Sequence, residues 1–301
     1  MIRRLIGAAS LTALGCAPEF DDAPWRVDEA RVLAIAATPP EARPGDPVLL
    51  TALTASPDGT IETAPTWSVC TRPRTSAERT SVTARCLEEE FLEPTPASML
   101  VLSDACARFG PNPPPTEGDT APQRPADPDA SGGYFLPVRA EADGAAAFGA
   151  LRIRCDLPGV TRAIFDAFEE RYFANEPPAI DRVLLGSGAP VSLEDVTTVS
   201  PDAETAITVE LPSGAAEPYV RYDSADGVLV DEREWLRVQW FITDGRLSAG
   251  QQTLFPSGAA PLVASTSWTA PSADTTVHGW IVVTDARGGV VWTAFTVEVD
   301  A

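Results

Sequence analysis

Apolar and polar residues alternate with a period of two through most of the second half of the chain. Ile207, Val209 and Leu211 are interleaved with Thr208 and Glu210, and Leu236, Val238, Trp240 and Ile242 with Arg237, Gln239 and Phe241. Side chains along a strand project alternately to the two faces of its sheet, so this spacing describes half-buried antiparallel strands. Asp244-Gly245 turns the chain after the second run. Trp280–Thr284 and Val291–Val299 flank Asp285-Ala-Arg-Gly-Gly289, a hairpin connection whose glycines supply positive φ. Strands so short and so numerous over residues 179–301 predict a β-sandwich.

The first half opens in the same way. Val32–Thr38 is an apolar run broken by Pro39-Pro40 and by the turn Pro44-Gly45-Asp46. Val48–Thr54 follows, then a Pro57-Asp58-Gly59 turn, then Thr66–Cys70. This order resembles the opening of bacterial immunoglobulin-like and PKD-type surface modules, on Gly45, Asp46, Val48, Leu50, Ala52, Asp58, Gly59 and Trp67. The resemblance covers about 40 residues and implies a fold class, an immunoglobulin-like β-sandwich, without naming a ligand. It departs from antibody-type domains, because Trp67 lies three residues before Cys70 with no matching upstream cysteine.

The chain is therefore expected to be mainly β, with two immunoglobulin-like antiparallel sandwiches at 31–157 and 179–301. Proline makes up 29 of its 301 residues, and the excess is local: 111–133 holds seven Pro and three Gly. Such a stretch cannot bury enough to offset its ordering entropy, so it reads as an inert disordered or polyproline-like insertion, with a ligand for a partner as the alternative. Met99, Leu102, Cys106 and Phe109 recur at helical spacing before Gly110-Pro111, which predicts a helix over 98–109. Val160, Ile164, Phe165, Phe168 and Tyr172 predict a second one, packed against or between the modules within the 158–178 linker.

The N-terminus reads as an address. Arg3 and Arg4 precede the apolar run Leu5–Leu14, which is too short to cross a bilayer core of ~30 Å. Ala13-Leu14-Gly15-Cys16 resembles a bacterial lipobox at Gly15 and Cys16, and departs from it at Ala13, where the family usually has Leu. The resemblance implies a signal peptide at 1–15 and a Cys16 that carries a diacylglyceryl thioether and an amide-linked acyl chain. Several chains together anchor a protein stably. In some bacteria of that family an Asp after the Cys retains the protein at the inner membrane; Ala17 stands there, so the resemblance implies the outer membrane. Residues 16–30, acidic and with two prolines, read as a tether, and Trp25 as either a membrane-interface anchor or a ring docked on its own domain.

Four cysteines remain, Cys70, Cys86, Cys106 and Cys155, an even number that implies two disulfides in an exported chain. Three connectivities are open. The expected one is a local Cys86–Cys106 staple and a closing Cys70–Cys155 bridge, since Cys155 shares a strand face with Leu151 and Ile153. No spacing is CxxC, so zinc and redox chemistry are not expected.

Catalytic signatures are missing as well: there is no GxSxG, GxxxxGK[ST] or HExxH. The single histidine, His278, begins a predicted strand and reads as solvent-facing or packed. With 43 acidic residues against 22 basic ones, all Arg, the formal charge is −21, which argues against nucleic acid. Loss of Arg3 and Arg4 would make it more negative by two. The only cofactor candidate is a weak calcium site at Asp223, Asp226, Asp231 and Glu232, expected in a loop around Gly227; solvated acids are the favoured reading. The expected function is a lipid-anchored envelope protein with a non-catalytic binding or structural role. Its expected partners are the membrane and an envelope protein or glycan. The alternative is a carbohydrate-binding or carbohydrate-active protein using exposed Trp and acids.

Overall fold

The computed structural model describes residues 23–73, 82–110, 132–157, 159–186, 189–191, 196–256 and 261–300. The expected signal, Cys16 and residues 111–131 of the expected insertion lie outside the described residues.

The chain is mainly β and builds two sandwiches. The first contains β1 (Arg31–Thr38), β2 (Pro47–Ser56), β3 (Thr66–Cys70), β4 (Leu92–Thr95), β5 (Ser98–Leu100), β6 (Gly133–Ala142) and β7 (Ala145–Arg154). Strands β1, β2, Gly59–Thr60 and β5 form one sheet; Glu41–Ala42, β7, β6, β3 and β4 form the other. Val48 and Leu50 from one sheet meet Trp67, Val69, Leu136, Val138, Leu151 and Ile153 from the other in a shared core.

The second contains β8 (Arg182–Leu185), β9 (Thr197–Val199), β10 (Glu204–Leu211), β11 (Pro218–Asp223), β12 (Val228–Arg233), β13 (Leu236–Ile242), β14 (Gln251–Leu254), β15 (Leu262–Thr269), β16 (Thr275–Asp285) and β17 (Val290–Val299). One sheet is ordered Ala189–Pro190, β8, β10, β15, Arg246–Leu247 and the other β9, β17, β16, β13, β14, while β11 and β12 form a separate hairpin. The alternating residues of the sequence, Ile207, Val209, Leu211, Leu236, Val238, Trp240 and Ile242, all point into this core. The sheets are not wholly antiparallel: β9 runs parallel to β17, and Glu41–Ala42 parallel to β7, both at sheet edges.

The two sandwiches stack. The outer face of the β1–β2 sheet, with Ala34, Leu53 and Ala55, packs on Phe241, Trp280 and Val282 from the outer face of the β13–β16 sheet. A sheet covered on both faces carries a continuous apolar run instead of an alternating one. Trp280-Ile281-Val282-Val283 is such a run: Ile281 and Val283 enter the second core, while Trp280 and Val282 enter the seam. Trp280 Nε1 donates to Thr60 Oγ1 at 2.9 Å across that seam, and the His278 ring lies against Gly59, so the lone histidine is packed.

Four expectations need correction. First, the 98–109 periodicity is not one helix. Ser98–Leu100 pairs with β2 as an edge strand, and only α1, Ala105–Phe109, is helical, ending where Gly110 N–H bonds the Cys106 carbonyl at 3.0 Å. Sheet pairing outweighed local spacing here. The second expected helix does form as α2, Arg162–Arg171, with Thr161 Oγ1 accepting from Ile164 N–H. Its Phe168 is fully buried against Leu157, just past β7 of the first sandwich, and Val220 of β11.

Second, the disulfides are Cys70–Cys86 and Cys106–Cys155, with Cα atoms 5.5 and 5.4 Å apart, not Cys86–Cys106 and Cys70–Cys155. α1 packs on β6 and β7, which brings Cys106 to the end of β7, while the short 3-10 turn at Ala84–Leu87 lies beside the end of β3. Third, the expected insertion stops before residue 133: Gly133 is the first residue of β6, and a Cβ there would overlap the Arg152 guanidinium. Fourth, the tether does not run free to residue 30. Val27 is fully buried and its N–H bonds the Ile242 carbonyl at 2.9 Å, tying this segment to the second sandwich. The first sandwich is thus held to the second at both of its chain ends, through residues 25–27 and through α2.

Candidate functional site

The most concentrated polar chemistry among the described residues lies buried where the sandwiches, α2 and the β11–β12 hairpin meet. Arg287, in the β16–β17 connection, is 1 % exposed. Its Nε donates to Glu234 Oε1 at 2.6 Å, Nη2 to Glu217 Oε2 at 2.9 Å and Nη1 to the Phe173 carbonyl at 2.9 Å. The guanidinium plane also faces the Tyr219 ring, 5.3 Å from its centroid. Asp285 closes the same turn by accepting from the N–H groups of Arg287 and Gly289, both at 2.8 Å. A Cβ at Gly289 would overlap that carboxylate, so the second glycine of the loop is required by a buried acid and not only by turn geometry.

A second cluster sits on the first sandwich. Arg152 on β7 is fully buried and its Nε donates to Glu41 Oε2 at 3.0 Å. Tyr172, just past α2, donates its hydroxyl to Glu41 Oε1, and its ring lies 3.8 Å under the Arg154 guanidinium. Asn175 joins the clusters: its backbone N–H reaches Glu41 Oε2 and its Nδ2 reaches the Asp285 carboxylate, each at 3.4 Å.

Two carboxylates, Glu217 and Glu234, therefore share one guanidinium, and the Asp285 carboxylate, held by backbone N–H groups, lies close enough to feel the same charge. Desolvation, with the neighbouring Asp285 charge, pushes Glu234 up to about 7 against the pull of Arg287. Burial likewise raises Asp285 to about 6, although backbone N–H donors, Asn175 and Arg287 oppose it. Burial and the Glu41 carboxylate push the Tyr172 phenol upward. Groups in this state make suitable acid–base catalysts when a substrate can reach them. Here Glu234 is 0 % and Asp285 5 % exposed, so what the arrangement can do is hold three segments in one geometry and respond to protons.

None of these residues stands out in the sequence. The 285–289 connection reads as an ordinary hairpin loop, and Arg152 lies on the face of its strand that would meet solvent in an isolated module. The readable signal is that Arg152 and Arg154 alternate with Leu151 and Ile153 on one strand, two cations on the face away from the core in a chain poor in cations.

The calcium candidates do not converge. Asp231 and Glu232 are neighbours on β12 and so leave its opposite faces. Asp231 pairs with Arg171, Glu232 with Arg221 at 2.7 Å, and Asp223 accepts from Ala225 and Asp226 N–H while pairing with Arg221. Those backbone donors hold the Asp223 carboxyl below its ordinary range. Among the described residues no group of three or more His, Cys, Asp or Glu is arranged to hold a metal. Of the tryptophans, Trp67, Trp240, Trp268 and Trp280 are buried, which leaves Trp25, Trp235 and Trp292 partly open.

No protein-family model matches the chain, and no curated protein matches it. Among solved structures it is similar to dimeric latent PorU from Porphyromonas gingivalis, at 14% identity and a TM-score of 0.24 over 91% of this chain and 24% of that one. It is also similar to the native conformation of E. coli alpha-2-macroglobulin, at 9% identity and a TM-score of 0.27 over 90% of this chain and 17% of that one. The chain thus spans less than a quarter of the length of either protein.

Proposed function

We propose that this chain is a lipid-anchored cell-envelope protein of the outer membrane whose stacked sandwiches act in a non-catalytic binding or structural role. The observation that carries the reading is the cysteine distribution: all four cysteines beyond Cys16 are paired in disulfides. Such pairing persists in oxidising compartments, and it leaves Cys16, directly after Gly15, as the one cysteine for the anchor. The buried ionic junction supports a structural role, because it spends its polar groups on holding the sandwiches together.

Metabolic labelling with a radioactive fatty acid tests the anchor. The wild-type chain is expected to take up label and to sediment with outer membranes, and Cys16→Ser to lose both properties. Label that persists in Cys16→Ser overturns the reading.

A further inference from the structure

The segment that the anchor reading treats as a leash is docked on the second sandwich. Beyond the point where β14 leaves the edge of β13, Arg26 pairs in parallel with Ile242. The Trp25 carbonyl accepts from Ile242 N–H at 3.1 Å, and Arg26 Nη2 meets Asp244 Oδ1 at 2.7 Å. The Trp25 indole covers Gly250 so closely that a Cβ there would come within 2.6 Å of its Cδ1. Pro24, Trp25, Arg246 and Gln251 line an open groove of about 520 Å³ at this end of the sandwich.

Docking from residue 23 shortens the covalent reach from Cys16. Seven residue steps separate Cys16 from Ala23. At ~3.6 Å per step no polypeptide spans more than about 25 Å there, against about 54 Å if the first attachment were at Arg31. We infer that residues 23–27 are a dock that holds the Trp25–Gly250 end of the second sandwich against the membrane surface, the bilayer being the partner of that end. This rests on the lipid-anchor reading. The local chemistry suits the position. Pro24 is exposed, the indole is partly exposed as an interfacial Trp would be, and exposed Arg246 lies at this end of an acidic chain, near Arg26 in its pair with Asp244. Like-charge repulsion of the ectodomain from anionic lipid makes the covalent leash, not general electrostatics, the source of the proximity.

Energy transfer tests it on the full lipidated protein in phosphatidylethanolamine–phosphatidylglycerol vesicles. A fluorophore on Gln251→Cys serves as donor to headgroup-labelled lipid, with the native disulfides confirmed intact. Strong transfer is expected, falling about twofold when the dock is opened by Arg26→Glu, which faces Asp244 with a like charge, or by Gly250→Val, which displaces Trp25. Circular dichroism and the thermal transition identify variants that stay folded. Weak transfer in the parent protein, or transfer unchanged in a folded variant, overturns the dock while leaving the anchor standing. Failure of the parent to take up acyl label or to associate with vesicles overturns the anchor and the inference together.

Discussion

Arg287 and Glu234 meet at 2.6 Å with 1 % and 0 % of their side chains exposed, and they join two connections that lie 53 residues apart. Removing one member of a buried ion pair costs about 3–5 kcal/mol, because the partner stays desolvated and uncompensated. Arg287→Ala leaves Glu217 and Glu234 without their shared cation and is expected to destabilise by at least that range in urea unfolding. Glu234→Gln removes a surplus negative charge instead and is expected to cost far less at pH 8. Equal losses for the two variants would sink this account of the junction.

Protonation should stabilise the fold across a defined window. Glu234 and Asp285 have folded values of about 7 and about 6, above their unfolded carboxylate values. Between the unfolded and folded values the native state binds more protons, so stability falls as pH rises. The stabilisation is full below ~4 and is lost as pH passes through 6 to 7. The Tm is expected to drop by about 5 °C between pH 5 and pH 8, with Glu234→Gln flattening the slope. A Tm that rises over this range contradicts the sign.

Gly133→Ala places a methyl group where the Arg152 guanidinium lies. With Arg152 fully buried beside Glu41, neither partner can swing into water. The expected cost is about 2–4 kcal/mol, whereas Gly144→Ala, in open space, should cost only the strain of its positive φ. Chemical denaturation of the two variants separates steric overlap from turn strain.

The disulfides should differ in weight. Cys70–Cys86 spans 16 residues and Cys106–Cys155 spans 49. Loop-closure entropy assigns about 3 kcal/mol to the shorter and about 4 kcal/mol to the longer. Paired Cys→Ala variants are expected to follow that order, and non-reducing peptide mapping should recover Cys70 linked to Cys86.

Calcium should leave the thermal transition unchanged, since Arg171 and Arg221 already pair with Asp231, Glu232 and Asp223. A Tm raised by millimolar calcium and restored by EGTA would show a site that these pairs do not account for.

The fold class and the strands with the clearest alternation were legible in the sequence alone. A period of two commits Ile207, Val209 and Leu211, or Leu236, Val238 and Trp240, to one face whatever lies opposite. The sequence also marked α2 through a three-to-four spacing that includes the fully buried Phe168. What covers the other face of such a strand is a long-range fact that no local pattern carries. Phe241, Trp280 and Val282 needed the β1–β2 sheet before their burial made sense. Arg152 and Asp285 needed the stacked sandwiches before their charges became buried ones. Cysteine spacing allowed three pairings, and the docking of α1 on β6 and β7 selected one. Local pattern records which side chains leave water, while the partner that removes the water is set by chain segments far apart in sequence.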